Sequence, residues 1–255
     1  MSLLDVIILG LVEGITEFLP VSSTGHLILT SHLLGIPQDT FTKTFEVAIQ
    51  SGAILAVAII YMERLLKDVE TWKRIITAFI PTAILGFLLY KAIKSLFSPL
   101  IVSAMLILWG IIFIVVEKFF YDESRVKVRD VDEVSYTQAF IIGLFQSLAM
   151  IPGTSRSGST IIGGMLLGLS RKTATEFTFL LAVPTMFAAT GYDLLKNMHA
   201  FASQNWLHLV VGFVVSFVFA YLSVRWLLNY VSSNSFIPFG IYRIIVGLIF
   251  LFFFL

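Results

Sequence analysis

Residues 3–34 read LLDVIILGLVEGITEFLPVSSTGHLILTSHLL: an apolar run to Phe18, a polar break at Leu19-Pro20-Val21-Ser22-Ser23-Thr24-Gly25-His26, and apolar character again through Leu34. Residues 137–169, TQAFIIGLFQSLAMIPGTSRSGSTIIGGMLLGL, repeat the plan around Pro152-Gly153-Thr154-Ser155-Arg156-Ser157-Gly158-Ser159-Thr160. Each flanking piece is about 12–15 residues long, whereas crossing roughly 30 Å of hydrocarbon takes about 20. Neither piece spans alone, so each region predicts two half-helices meeting at a polar break, a re-entrant hairpin. Non-helical backbone at membrane depth survives only where protein or a cavity covers it. The two breaks therefore mark the interior of the molecule.

Outward from these hairpins, continuous apolar spans are predicted at 42–62, 73–91, 98–118, 173–195, 206–230 and 236–255. Apolar residues make up 58% of the 255 positions and charged ones 13%, a balance that makes the bilayer the solvent. Lipid offers no partner to an open backbone group, so helices carry the fold. The expectation is an all-α polytopic membrane protein. A formal net charge of +1 points away from nucleic acid. The absence of cysteine excludes disulfides and thiolate metal sites. The first apolar stretch lacks a basic leader and carries Asp5, Glu13 and Glu17, which argues against a cleaved signal.

The two broken segments read as copies. Gly10-Leu11-Val12-Glu13 matches Gly143-Leu144-Phe145-Gln146 at an offset of 133. With one deletion, Pro20, Ser22 and Ser23 then match Pro152, Thr154 and Ser155 at 132. The chain thus divides into a first repeat over 1–120, a charged linker over 121–134 and a second repeat over 135–255. One returning hairpin plus three spans per half is an odd number of crossings, so the second half is inverted. With alternating sides, eleven basic residues between Arg64 and Arg225 collect on one face, and Lys43, Lys91, Lys94 and Lys196 on the other. The positive-inside rule makes the first face cytoplasmic, with both termini outside and the first break opening from the outer surface.

Glu13 and Glu17, four apart on a helix, project from one face. In a soluble protein they would be solvated surface groups. Inside an apolar segment an ionised carboxylate must be paired, hydrated or bound to a cation, and this pair can hold a divalent metal or share a proton. Ser22, Ser23, Thr24 and Gly25 exceed what one helix cap requires, and open N–H groups with hydroxyls form a phosphate cradle. His26 stands beside them as an acid–base candidate, whereas His32, His199 and His208 read as structural. Arg156, alone in an uncharged re-entrant segment, calls for an anion, and its fork matches phosphate oxygens; the plainer reading is an ion pair with Glu13 or Glu17. Arg243 in the last span is read either as a second clamp or as a side chain snorkelling to the cytoplasmic surface.

These residues resemble a known family, the undecaprenyl-diphosphatases, also called bacitracin-resistance proteins. Its signatures stand here as Glu13-Gly14-Ile15-Thr16-Glu17 followed by Ser22-Ser23-Thr24-Gly25-His26, and as Pro152-Gly153-Thr154-Ser155-Arg156-Ser157-Gly158-Ser159-Thr160. The resemblance implies hydrolysis of undecaprenyl diphosphate to undecaprenyl phosphate and inorganic phosphate at the outer face of the plasma membrane, recycling the carrier for cell-wall glycans. It implies catalytic roles for Glu13, Glu17, Ser23, His26 and Arg156. Ser22, Thr24, Gly25, Ser155, Ser157, Thr160 and Arg243 are the expected substrate-binding residues. A divalent cation, Mg²⁺ or Ca²⁺, is expected on Glu13 and Glu17. Expected partners are the polyprenyl diphosphate and membrane lipids, with a homodimer left open. Ser23 with base help from His26 or Glu17 is the preferred nucleophile, and His26 or water stays open. The rival reading is a transporter or flippase of a phosphorylated lipid or other anion, which would use a similar cradle.

Overall fold

In a computed structural model the chain is helical throughout the described residues, which are all except 97, 197–205 and 255; His199 lies outside them. Among the described residues eleven α-helices run in the order α1 Leu3–Thr16, α2 Ser23–Leu33, α3 Thr40–Ile60, α4 Met62–Lys67, α5 Val69–Ser95, α6 Pro99–Val115, α7 Tyr136–Leu148, α8 Arg156–Leu166, α9 Arg171–Lys196, α10 Trp206–Val231 and α11 Ile237–Phe254. A π-helical turn, Val116–Phe120, extends α6. Most starts are written in the sequence. Ser2 with Asp5, and Ser135 with Gln138, form reciprocal caps for α1 and α7. Asp39, Asp68 and Ser98 each accept an amide of the helix they open.

Both hairpins are present: α1 and α2 flank the first break, α7 and α8 the second. Four helices are long and apolar enough to cross a membrane among the described residues, Phe41–Ile60, Val69–Leu89, Pro99–Phe120 and Trp206–Val231. The other two anticipated spans correspond to α9, of 26 residues, and α11, of 18. Helix α11 is strongly apolar. Helix α9 carries more polar residues than the other spans. The reason is its position: α9 packs on α3, α5 and α8, and Thr173, Thr175 and Thr178 are buried there rather than meeting lipid.

Helix pairing is orderly. Helix α1 lies along α10 and α7 along α5, while α3 packs on α10 and α9 on α5; α6 pairs with α11 and α3 with α9. Close approach of backbones locks these seams, as small residues do between membrane helices. A Cβ added at Gly143 of α7 would stand 2.0 Å from the carbonyl oxygen of Ala78 in α5. Gly110 and Gly240 are reciprocal, each with its Cβ position within 2.7 Å of the other's carbonyl oxygen.

The charged connection after α6 packs on one end of the bundle. Arg64 reaches Asp130 and Asp132, Arg74 donates to the carbonyls of Asp132 and Val134, and Val128 bridges to Leu169. Arg171 pairs with the buried Glu117, whose carboxylate also accepts the amide of Phe236 just before α11. The loops around Arg64, Tyr121–Glu133 and Arg171 therefore share one face.

Candidate active site

Helix α1 ends on Glu17, so Glu13 and Glu17 reach the centre one turn apart. The chain turns back through Ser22, whose φ of 73° is rare for a residue other than glycine; Ser155 at the second break has φ 75°. Such backbone costs roughly 1–3 kcal/mol and persists where the surroundings enforce it. The two turns then differ. The Ser155 hydroxyl accepts the amide of Gly158 and caps α8. Ser22 makes no side-chain cap, which leaves the first amides of α2 as an open anion site.

Around this turn a chain of contacts assembles. Ser23 Oγ donates to Glu17 Oε2 at 2.5 Å. The other Glu17 oxygen accepts from Arg156 Nη2 at 3.3 Å, and Arg156 Nη1 donates to the carbonyl of Thr178 at 3.2 Å. The guanidinium lies over the Phe18 ring, 5.5 Å from its centroid. A cavity of about 300 Å³ opens on Glu17, Ser22, Ser23, Thr24, Ser155 and Arg156, a size suited to a small polar group held on few contacts. Glu13 is wholly buried, and neither of its oxygens has a hydrogen-bond partner among the described residues.

Several expected site residues stand elsewhere. His26 does not touch Ser23: its Nδ1 faces the carbonyl of Ser22 at 2.8 Å and its Nε2 the hydroxyl of Tyr242 at 2.7 Å. Arg243 neither snorkels nor clamps the cavity. Fully buried, it donates to the carbonyls of Pro20, Gly153 and Thr154, tying the two breaks together. Ser157 also bridges the breaks, donating to the carbonyl of Leu19, and Thr160 bonds back to Arg156 and to Thr178. Gly25 lets α2 rest on Val102 of α6.

Other lining residues had no motif to flag them. Gln146 donates to Thr82 at 2.9 Å, and both face the cavity together with Gln50 and Thr185. Only the matching position of Gln146 and Glu13 hinted at it; Thr82, Thr185 and Tyr242 are isolated residues of ordinary spans.

A divalent cation finds a partial fit. Two orphaned oxygens on a buried Glu13, next to Glu17, suit a cation, although no cluster of three His, Cys, Asp or Glu occurs among the described residues. Magnesium is often held by one or two carboxylates with substrate phosphates completing its shell.

The sequence profile described as bacitracin resistance protein BacA matches residues 6–249. The undecaprenyl-diphosphatase of Persephonella marina is 64% identical over 99% of this chain and 99% of its own length. Those of Wolinella succinogenes and Aquifex aeolicus are 58% and 57% identical, each covering 97% or more of both chains. With a profile match across nearly all its length and relatives at this identity, the chain belongs to the bacitracin resistance protein BacA family.

Proposed function

We propose that this chain is an undecaprenyl-diphosphate phosphatase, hydrolysing the lipid diphosphate to lipid monophosphate and inorganic phosphate. The observation that carries the reading is Ser23 donating to Glu17 beside the open amide end of α2. The terminal phosphate sits on the first α2 amides and Arg156, where fixed donors stabilise charge as it develops. Glu17 Oε2 takes the Ser23 proton as Oγ attacks phosphorus, and the lipid monophosphate leaves with the electrons of the broken P–O bond. Glu17 passes that proton to the departing lipid monophosphate; water then attacks the phosphoserine, giving a proton to Glu17, which returns it to Oγ as phosphate leaves. Glu17 replaces His26 as the base here because the histidine has both nitrogens committed elsewhere. A lipid carrier would need the cradle, but gains nothing from a serine hydroxyl on a carboxylate.

Glu13 and Glu17 are the residues that would hold Mg²⁺ or Ca²⁺. The ion would supply charge stabilisation to the phosphoryl oxygens. The chain's own part is to keep Glu13 buried and free for that cation while Arg156 offsets Glu17.

The same reading extends to topology. Exchanging the two halves exchanges α1·α10 with α7·α5 and α3·α10 with α9·α5, and maps α6·α11 and α3·α9 onto themselves. This exchange supports a two-fold repeat, and the odd number of crossings per half makes the inverted form our reading. Its register is better served by a constant 133 than by a deletion, since Ser22 and Ser155, the two strained caps, are 133 apart, as are Gly25 and Gly158. We place the site in the plasma membrane, open to the outer face, with both termini outside; a homodimer is compatible with it.

Purified protein given substrate labelled on its terminal phosphate tests the chemistry. Ser23→Ala is expected to abolish phosphate release while lipid-diphosphate binding stays within about tenfold, because α2 and Arg156 still hold the anion. Acid-stable label should be trappable on Ser23 of the wild type. Acid-labile label on His26 would move the nucleophile, and protein that carries lipid across vesicles yet never frees phosphate would defeat the enzyme reading.

A further inference from the structure

His26 has two hydrogen-bond partners, and one of them fixes its tautomer. A backbone carbonyl can only accept, so the Nδ1 facing Ser22 at 2.8 Å carries the hydrogen. Nε2 of the neutral ring is then a lone pair, and Tyr242 donates to it at 2.7 Å. The two rings also stack, 5° from parallel with centroids 5.5 Å apart. The carbonyl that His26 holds belongs to the residue with φ 73°, the turn that sets the direction of the α2 amides.

Tyr242 and Arg243 are neighbours on α11. Arg243 grips the first break at Pro20, two residues before Ser22, and the second break at Gly153 and Thr154. Tyr242 reaches the first break from the α2 side, through His26. One turn of α11, itself seated on α6, thus touches the break on both sides of its strained residue.

We propose that Tyr242 is a positioning residue for the reaction: its hydroxyl, donating to Nε2, holds the His26 ring whose Nδ1–H the Ser22 carbonyl accepts, and His26 in turn holds that carbonyl so that the amide end of α2 stays aimed into the cavity. The proposal rests on the phosphatase reading for its effect on turnover, but not for its geometry. It gives His26 a task that needs no contact with Ser23.

Tyr242→Phe keeps the ring and its stacking and removes only the hydroxyl. In ¹⁵N-histidine NMR of the protein in nanodiscs, with His26 identified by its loss in His26→Ala, the wild type is expected to show a protonated Nδ1 and an unprotonated Nε2. Tyr242→Phe should move the Nε2 resonance, which loses its donor, and weaken the Nδ1–H contact with the Ser22 carbonyl. Its kcat/KM on polyprenyl diphosphate should fall about 2- to 10-fold, the size of one lost neutral hydrogen bond, mostly through KM. In a His26→Ala background the same change should have no further effect. An unchanged His26 signal overturns the positioning role even in an active enzyme, and so do losses that multiply in the double variant. Failure of wild-type protein to release phosphate would sink the phosphatase reading and leave the NMR result to judge Tyr242 by itself.

Discussion

Two guanidinium groups stand at the centre, Arg243 fully buried and Arg156 partly so, and their partners separate their roles. Arg156 faces a carboxylate and one carbonyl and lines the cavity, so its terminal nitrogens keep hydrogens for an incoming anion. Arg243 places its terminal nitrogens on three carbonyls drawn from both breaks. Arg156→Lys should therefore lose turnover as badly as Arg156→Ala, by roughly 30- to 1000-fold, because an ammonium lacks the planar fork that reaches Glu17 and Thr178 while offering a phosphate paired donors. Near-normal rates in a folded lysine variant would take Arg156 out of the site. Arg243→Gln should instead weaken the fold, by on the order of 3–5 kcal/mol, since the carbonyls of two breaks lose a charged partner in a dry interior. Unfolding in micelles reads this, and unaltered stability would contradict the brace. The sequence exposed both arginines as unusual, being charges within apolar helices. It could not divide their tasks, because the division depends on which backbone carbonyls the folded breaks present.

Among the elements, hairpins and spans were legible because their signals are local: length against bilayer thickness, a proline and a cluster of hydroxyls at each break, and capping residues at helix starts. Helix α9 reads in the sequence as a span like the rest, with nothing local to set its place among them. Its threonines report a central position, which only the packing of α3, α5 and α8 around it reveals. Seams between helices were likewise silent, since a glycine in a hydrophobic run announces no partner. Gly143 faces backbone rather than a side chain that could move, so Gly143→Ala should part α5 from α7 and destabilise the protein by about 1–3 kcal/mol or more. Gly191 of α9, with nothing within 4 Å of its Cβ position, is the matched control. Alanine there should be neutral or stabilising, because it is the better helix former. Equal effects at the two sites, by thermal unfolding in the same detergent, would mean that helix propensity and not the seam governs.

At the scale of the whole molecule, one arrangement links charge, topology and the site. Hydrogen bonds from Arg64 and Arg74 to the Asp130–Val134 segment, and from Arg171 to Glu117, gather the basic loops on one face. A membrane protein keeps such a face in the cytoplasm. In the proposed topology the chain ends of α1 and α11 lie across the bilayer from it, since α3 joins the outer end of the first hairpin to the Arg64 loop and α11 departs from beside Glu117. That topology brings the first break in from outside and the second from inside; the two meet where Arg243 and Ser157 join their backbones. Single cysteines test this cleanly, because the chain has none of its own. Lys127→Cys, on the linker, should resist a membrane-impermeant maleimide in intact cells and react after permeabilisation. Gln38→Cys, between α2 and α3, should react before it. Labelling of position 127 from outside would turn the molecule over, and with it the face from which a lipid diphosphate reaches Ser23.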